Sequence, residues 1–164
     1  ETLEGRKAAL KKLLPMQKKD FLGILKAMEG YGVTIRLLDP PLHEFVPNDD
    51  ATQQEMATEL GISIEKVRAR VESLHEFNPM LGHRGCRLAI TYPEIYEMQA
   101  RAIAEAAAEM VNSGQSLTPE IMIPLVGMAG ELEQLRQRVE RTVSMVKNER
   151  NVQFDYLVDR KSVV

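Results

Sequence analysis

All three histidines, His43, His75 and His83, fall within residues 43–86 together with the lone cysteine, Cys86. Two of them sit in a repeated tetrapeptide, Leu42-His43-Glu44-Phe45 and Leu74-His75-Glu76-Phe77. Imidazole, thiolate and carboxylate are the ligands zinc takes, so the cluster raises the question of a metal site. The spacing argues against one. Zinc motifs pair Cys and His at short intervals or place a second His one helical turn after His-Glu. Here Phe45-Val46-Pro47 and Phe77-Asn78-Pro79 stand in those places, so no metal is expected on these residues. The flanks of the two copies share nothing, which excludes an internal repeat. The plainer arrangement has Leu and Phe packed, with His and Glu at the rim.

Two arginines offer different chemistry. Arg36 lies in "TIRLLDPP", near the end of a β-branched run, and Arg84 lies in "LGHRGCRL" between glycines that leave the backbone open. A guanidinium grips phosphate or carboxylate through its planar fork. An arginine in a strand is otherwise costly to bury without an anionic partner, so a buried ion pair explains it equally well. Residue type and position alone leave the two readings level.

A third candidate is "TQQEMATELGISIEKVRARVESL", with the spacing of a DNA-binding helix-turn-helix: Ala57 small in the first helix, Gly61 in the turn, Ile62 and Val67 inward. Its charge argues otherwise. Between Thr52 and Leu74 four acids (Glu55, Glu59, Glu65, Glu72) oppose three bases (Lys66, Arg68, Arg70), where phosphate binding needs an excess of bases. A structural helical hairpin is the favoured reading.

These residues must be held by the elements around them. "EGRKAALKKLLPMQKKDFLGILKAMEGYG" has helical apolar spacing, interrupted at Pro15 and stopped by Gly30 and Gly32. "VTIRLL" (33–38) reads as a strand, ended by Asp39-Pro40-Pro41. Two short helices follow, the second opened by Ser63 as N-cap. "CRLAI" (86–90) reads as a second strand and "PEIYEMQARAIAEAAAEMVNSG" as a strong helix with Pro93 in its first turn. "EIMIPLVG" (120–127) is a third strand, "ELEQLRQRVERTVSMVKNER" a long helix, and "VQFDYLV" (152–158) a fourth strand. Strand and helix in alternation predict right-handed βαβ units around a parallel sheet. A barrel of eight such units needs about 250 residues, so this chain holds roughly half. No Gly-x-Gly-x-x-Gly follows any strand to support an open dinucleotide-binding sheet.

With 164 residues, 44% hydrophobic, the chain can bury one ordinary core. No signal-peptide pattern and no run of about 18 apolar residues is present, and one cysteine makes no internal disulfide. A cytoplasmic protein without membrane contact is expected. A net charge of -3 with scattered bases, and no tryptophan, gives nucleic acid no electrostatic or stacking surface.

"VTIRLLDPPLHEFVP" and, beyond the hairpin, "LHEFNPMLGHRGCRLAITYPEI" closely resemble the phosphoenolpyruvate-binding barrel of the pyruvate, phosphate dikinase family. The resemblance takes in "LLPMQKKDFLGILKAM" before and "PEIMIPLVG" after, from about Leu13 to Val158. Phosphoenolpyruvate synthase and the first enzyme of the sugar phosphotransferase system share an "NP-x-LG-x-R" segment, but "DPPLHEF" is more like the dikinase. The resemblance implies α/β architecture: a partial (β/α)8 TIM barrel over residues 1–158, about four βα units, with an inserted helical hairpin at 49–77. It implies interconversion of ATP, phosphate and pyruvate with AMP, diphosphate and phosphoenolpyruvate, by way of a phosphohistidine on a swivelling domain of the same full-length chain. Arg36 and Arg84 would then bind the substrate phosphoryl group, which accords with phosphoryl transfer being positioning and charge neutralisation. A phosphoenolpyruvate synthase-like fragment and a non-catalytic binding module are the alternatives.

The same resemblance marks where the chain departs from its family. After "YLV" the family continues Gly-Thr-Met-Ile-Glu, whose glutamate holds magnesium, whereas this chain reads Asp159-Arg160-Lys161-Ser162-Val163-Val164. Six codons of a common sequencing adapter encode those residues, so 159–164 reads as a non-native tail. The magnesium ligands and the cysteine that protonates the enolate are expected beyond this end, which leaves no catalytic and no metal-binding residue here. Cys86 is expected to pack. The complete enzyme is expected to be a homodimer, and the piece alone to be inactive, with exposed strand edges.

Overall fold

The periods in the sequence resolve into α1 (Leu3–Ala27), β1 (Val33–Arg36), a single 3-10 turn (Leu42–Glu44), α2 (Asp50–Leu60), α3 (Ile64–Leu74), α4 (Cys86–Thr91), α5 (Pro93–Asn112), β2 (Pro119–Val126), α6 (Ala129–Arg150) and β3 (Leu157–Ser162). This is a computed structural model, and it describes residues 2–75 and 82–162. The chain divides into two compact units, residues 1–39 with 85–164, and residues 40–84.

In the first unit the three strands form one parallel sheet in the order β1-β2-β3. Val33 pairs with Pro119 and Arg36 with Met122, while Glu120 pairs with Leu157 and Met122 with Asp159. Because side chains alternate along a strand, this register sorts them onto two faces. Ile35, Ile121 and Ile123 are buried on one. Thr34, Arg36, Glu120, Met122, Leu157 and Asp159 share the other, where none is buried. The α/β class expected from the sequence is therefore observed, with parallel strands among the described residues numbering three rather than about four.

The missing strand is "CRLAI". Residues 86–91 are helical, with the Ala89 amide bonded to Gly85 O at 3.0 Å and that of Tyr92 to Leu88 O at 2.8 Å. A short apolar run reads alike as buried strand or buried helix, and here Cys86, Leu88 and Ala89 are buried together from a helix. Gly85 has φ +56°, and a Cβ there would meet the Leu125 side chain at 3.1 Å, so glycine alone suits the turn into α4.

Alanine spacing makes α5 the centre of the unit. Ala100, Ala102, Ala104, Ala106, Ala107 and Ala108 are all essentially inaccessible, so neighbours approach the helix on most sides. α1 lies along it, pinned by Arg6 Nε to Glu94 Oε1 at 2.6 Å and Lys18 Nζ to Glu109 Oε2 at 2.8 Å. α6 contributes Leu135, Val139, Val143 and Val146 to the same core. Pro15 does not interrupt α1, which runs unbroken from Leu3 to Ala27. The expected strand at 152–158 begins later, at Leu157. Val152 and Phe154 instead pack as an irregular approach, where Lys147 Nζ donates to Phe154 O at 2.9 Å and lies over the Phe154 and Tyr156 rings.

The second unit contains the expected hairpin. Asp49 caps α2 through Thr52, its carboxylate accepting from the amide at 2.9 Å and from the hydroxyl at 2.7 Å. These bonds hold the exposed Asp49 carboxyl below its ordinary pKa. Gly61, at φ +63°, turns the chain into α3. Ala57 and Val67 are buried as expected. Ile62 is not. It is 41% exposed, because Gly61 and Ser63 carry it around the outside of the turn.

Candidate functional site

Arg36 is the last residue of β1, on the sheet face where Thr34, Glu120, Met122, Leu157 and Asp159 are likewise not buried. Pro40 and Pro41 prevent further sheet pairing, and proline at 40 biases Asp39 towards extended backbone. Asp39 pairs through Oδ2 with Arg36 Nη2. The Asp39 side chain is 9% exposed and that of Arg36 42%, so the carboxylate is sunk while the guanidinium still meets solvent. The ion pair that was one of the two readings of Arg36 is present, yet it engages one edge of a group carrying five donors. Asp39 was missed in the sequence, although an acid three residues after a strand arginine was the available signal.

Further along the same face, Thr34 Oγ1 donates to Glu120 Oε2 at 2.5 Å, tying β1 to β2 next to the Arg36–Met122 pair. At the carboxyl end of β2 the ladder is irregular between Ile123 and Val126, and Leu125 adopts φ +58°, a left-handed conformation costly for a residue with a branched side chain. Immediately after it, the amides of Gly127 and Met128 donate to Glu131 Oε2 at 2.9 and 3.0 Å. The amides leading into α6 thus already hold this chain's own carboxylate.

Arg84 is the last residue of the second unit, half-buried, with its amide bonded to Gly82 O at 2.9 Å. Arg36 belongs to the first unit. Cys86, expected to pack, does so. It is inaccessible, its thiol donates to Leu125 O at 3.1 Å, and burial, with the Glu131 carboxylate nearby, pushes its pKa up to about 11. Such a thiol is a poor nucleophile at neutral pH.

Of the two Leu-His-Glu-Phe copies, Leu42–Glu44 forms the 3-10 turn and His75 follows the end of α3 with extended backbone. Glu76 and Phe77 lie outside the described residues. Phe45 corrects the expectation that it packs, since it is 71% exposed. No three of His, Cys, Asp and Glu converge among the described residues.

The family model described as "PEP-utilising enzyme, PEP-binding domain" matches residues 3–159. The chain belongs to this family. It is 56% identical to pyruvate, phosphate dikinase of Rhizobium meliloti over 155 residues, covering 94% of this chain and 17% of that protein. To the enzyme of the same name from Clostridium symbiosum it is 50% identical over 157 residues, 95% of this chain and 18% of that one. Pyruvate, phosphate dikinase 1, chloroplastic, of Arabidopsis thaliana is 52% identical over 159 residues, 96% and 16% respectively. The chain therefore spans about a sixth of the length of these relatives. No helix of the described residues is long and apolar enough to cross a membrane.

Proposed function

We propose that this chain is the phosphoenolpyruvate- and pyruvate-binding part of a pyruvate, phosphate dikinase, a phosphotransferase, with Arg36 and Arg84 as anchors for the substrate phosphoryl group. The observation that carries this is Arg36 itself: a guanidinium at the carboxyl end of a parallel strand, on the open face, held from one side by a nearly buried carboxylate. Active sites of parallel barrels sit at that end of the strands. Asp39 aims the guanidinium, and the exposed remainder neutralises charge on the transferring group.

The open face supports a partial (β/α)8 barrel over residues 1–158. All-parallel sheets are covered on both faces, and here one face leaves Thr34, Arg36, Glu120 and Met122 unburied among the described residues; in a closed barrel it would become the interior. Residues 49–77 are then a helical insertion between two barrel units, and 159–164 a non-native tail, even though residues 159–162 extend β3. The magnesium ligands belong to a part of the enzyme other than these residues, and the complete enzyme uses ATP, carries its phosphohistidine domain in the same chain and is a homodimer. The buried thiol of Cys86 suits a cytoplasmic setting.

The test is a thermal melt by circular dichroism at low micromolar protein, with phosphoenolpyruvate up to about 10 mM. Ligand that binds only the folded state raises the midpoint. A rise in the wild type that shrinks in Arg36→Lys supports the reading. No rise, or an equal rise in the variant, overturns it. Grafting residues 3–158 into the matching stretch of the Clostridium symbiosum enzyme separates enzyme from binding module. Retained turnover supports the dikinase; binding without turnover supports the module.

A further inference from the structure

The chain leaves the first unit after Asp39 and returns to it at Gly85. One side chain holds both stems. The Tyr96 hydroxyl, on the buried side of α5, lies 2.5 Å from Leu38 O and 2.9 Å from Gly85 O. Both neighbours are acceptors, so a single phenolic proton is shared between two carbonyls in a three-centre bond. One turn further along the same face, Gln99 Oε1 accepts from the Leu38 amide at 2.7 Å, so α5 grips both polar groups of that peptide. Tyr96 and Gln99 are each 4% exposed, and water does not compete for these bonds.

Leu38 immediately precedes the carboxylate that pairs with Arg36, and Gly85 immediately follows Arg84. We infer that Tyr96 is a positioning residue for the anion site: its hydroxyl ties the Leu38 and Gly85 stems of the first unit together, and through Leu38 sets the backbone from which Arg36 and Asp39 extend. Gln99 fixes the rotation of the Leu38 peptide and so the direction in which Asp39 leaves. The inference rests on the proposed phosphoryl-binding role of the two arginines.

Tyr96→Phe removes one oxygen and keeps the ring in its place. Two readouts follow it, with Val143→Ala in α6 as a control for general loss of stability. The first is amide hydrogen exchange without ligand. Exchange at Leu38 and at Ala89, whose amide bonds to Gly85 O, is expected to quicken by about tenfold while Ile121 and Ile123 in β2 hold their rates. The second is the phosphoenolpyruvate-dependent melt, in which the apparent dissociation constant is expected to rise by about fivefold, with little further rise when Tyr96→Phe is combined with Arg36→Lys. Unchanged exchange at the stems, or the same change in Val143→Ala, overturns the clasp. An unchanged dissociation constant in Tyr96→Phe, where Arg36→Lys weakens binding, overturns the positioning role alone. If Arg36→Lys leaves binding unchanged, the anion-site reading falls and takes the positioning role with it, whatever the exchange shows.

Discussion

Arg36 shows how far residue type alone could reach. A strand arginine followed by Leu-Leu-Asp-Pro-Pro was legible as either an anion anchor or half of an ion pair; the structure shows the pair with Asp39 and leaves the guanidinium 42% exposed, as the proposed anchor needs. Replacing it by lysine keeps the charge but loses the fork, so phosphoenolpyruvate affinity should fall by about 1.5–3 kcal/mol, the scale of one charge-assisted contact. Unchanged affinity in the melt removes Arg36 from the site. Cys86 was read as a packing residue, and its inaccessibility agrees, although it packs from a helix rather than from the expected strand. The buried thiol titrates at about 11, above the 9.0 of a free one, so the folded state holds the proton more tightly. That contribution is fully present below pH 9 and is lost as pH rises from 9 towards 11. Melts of wild type and Cys86→Ala should therefore converge over that interval, by at most about 2–3 kcal/mol. Parallel pH profiles would show that the thiol carries no such linkage. Tyr96 and Gln99 were beyond reach of the sequence, where they look like any other polar positions of an amphipathic helix; their shared partner is the Leu38 backbone, 58 and 61 residues upstream.

Among the elements, those with a clear period or clear boundaries were legible, and "CRLAI" was not. α5 and α6 carry periodic apolar positions over five turns or more, and β1 and β2 carry β-branched runs bounded by glycine and proline. "CRLAI" is five residues, too short for either period to declare itself, and the decision fell to the Gly85 turn and the packing of Cys86 against Leu125. β2 makes a test of the two-faced sheet, because adjacent residues point opposite ways. Ile121 is inaccessible beneath the helices, while Met122 lies on the open face and is only half-buried. Ile121→Ala should cost about 2–5 kcal/mol of unfolding free energy, as large-to-small core changes do. Met122→Ala should cost well under half as much. Denaturant titration of both variants measures the difference, and equal losses would mean that the open face is packed after all.

At the scale of the whole molecule, the open face has a consequence that no single residue shows. With the order β1-β2-β3, both outer strands have an edge with no strand partner among the described residues, and Leu157 stands 54% exposed. On the helical side, Leu13, Met16, Ile24 and Met145 are each more than 40% exposed, and the first three recur at helical spacing along α1. Unpaired strand edges and apolar stripes of this kind template association with another chain. A barrel of eight strands has no edges, and its interior face is filled by its own side chains, so the same surfaces would be covered in the complete fold. Residues 1–164 alone should therefore associate as concentration rises from micromolar to millimolar, and sedimentation velocity should show the mean mass climbing. A single species of monomer mass across that range would mean that the three-stranded sheet is self-sufficient, and the argument for a partial barrel from its uncovered face would fail.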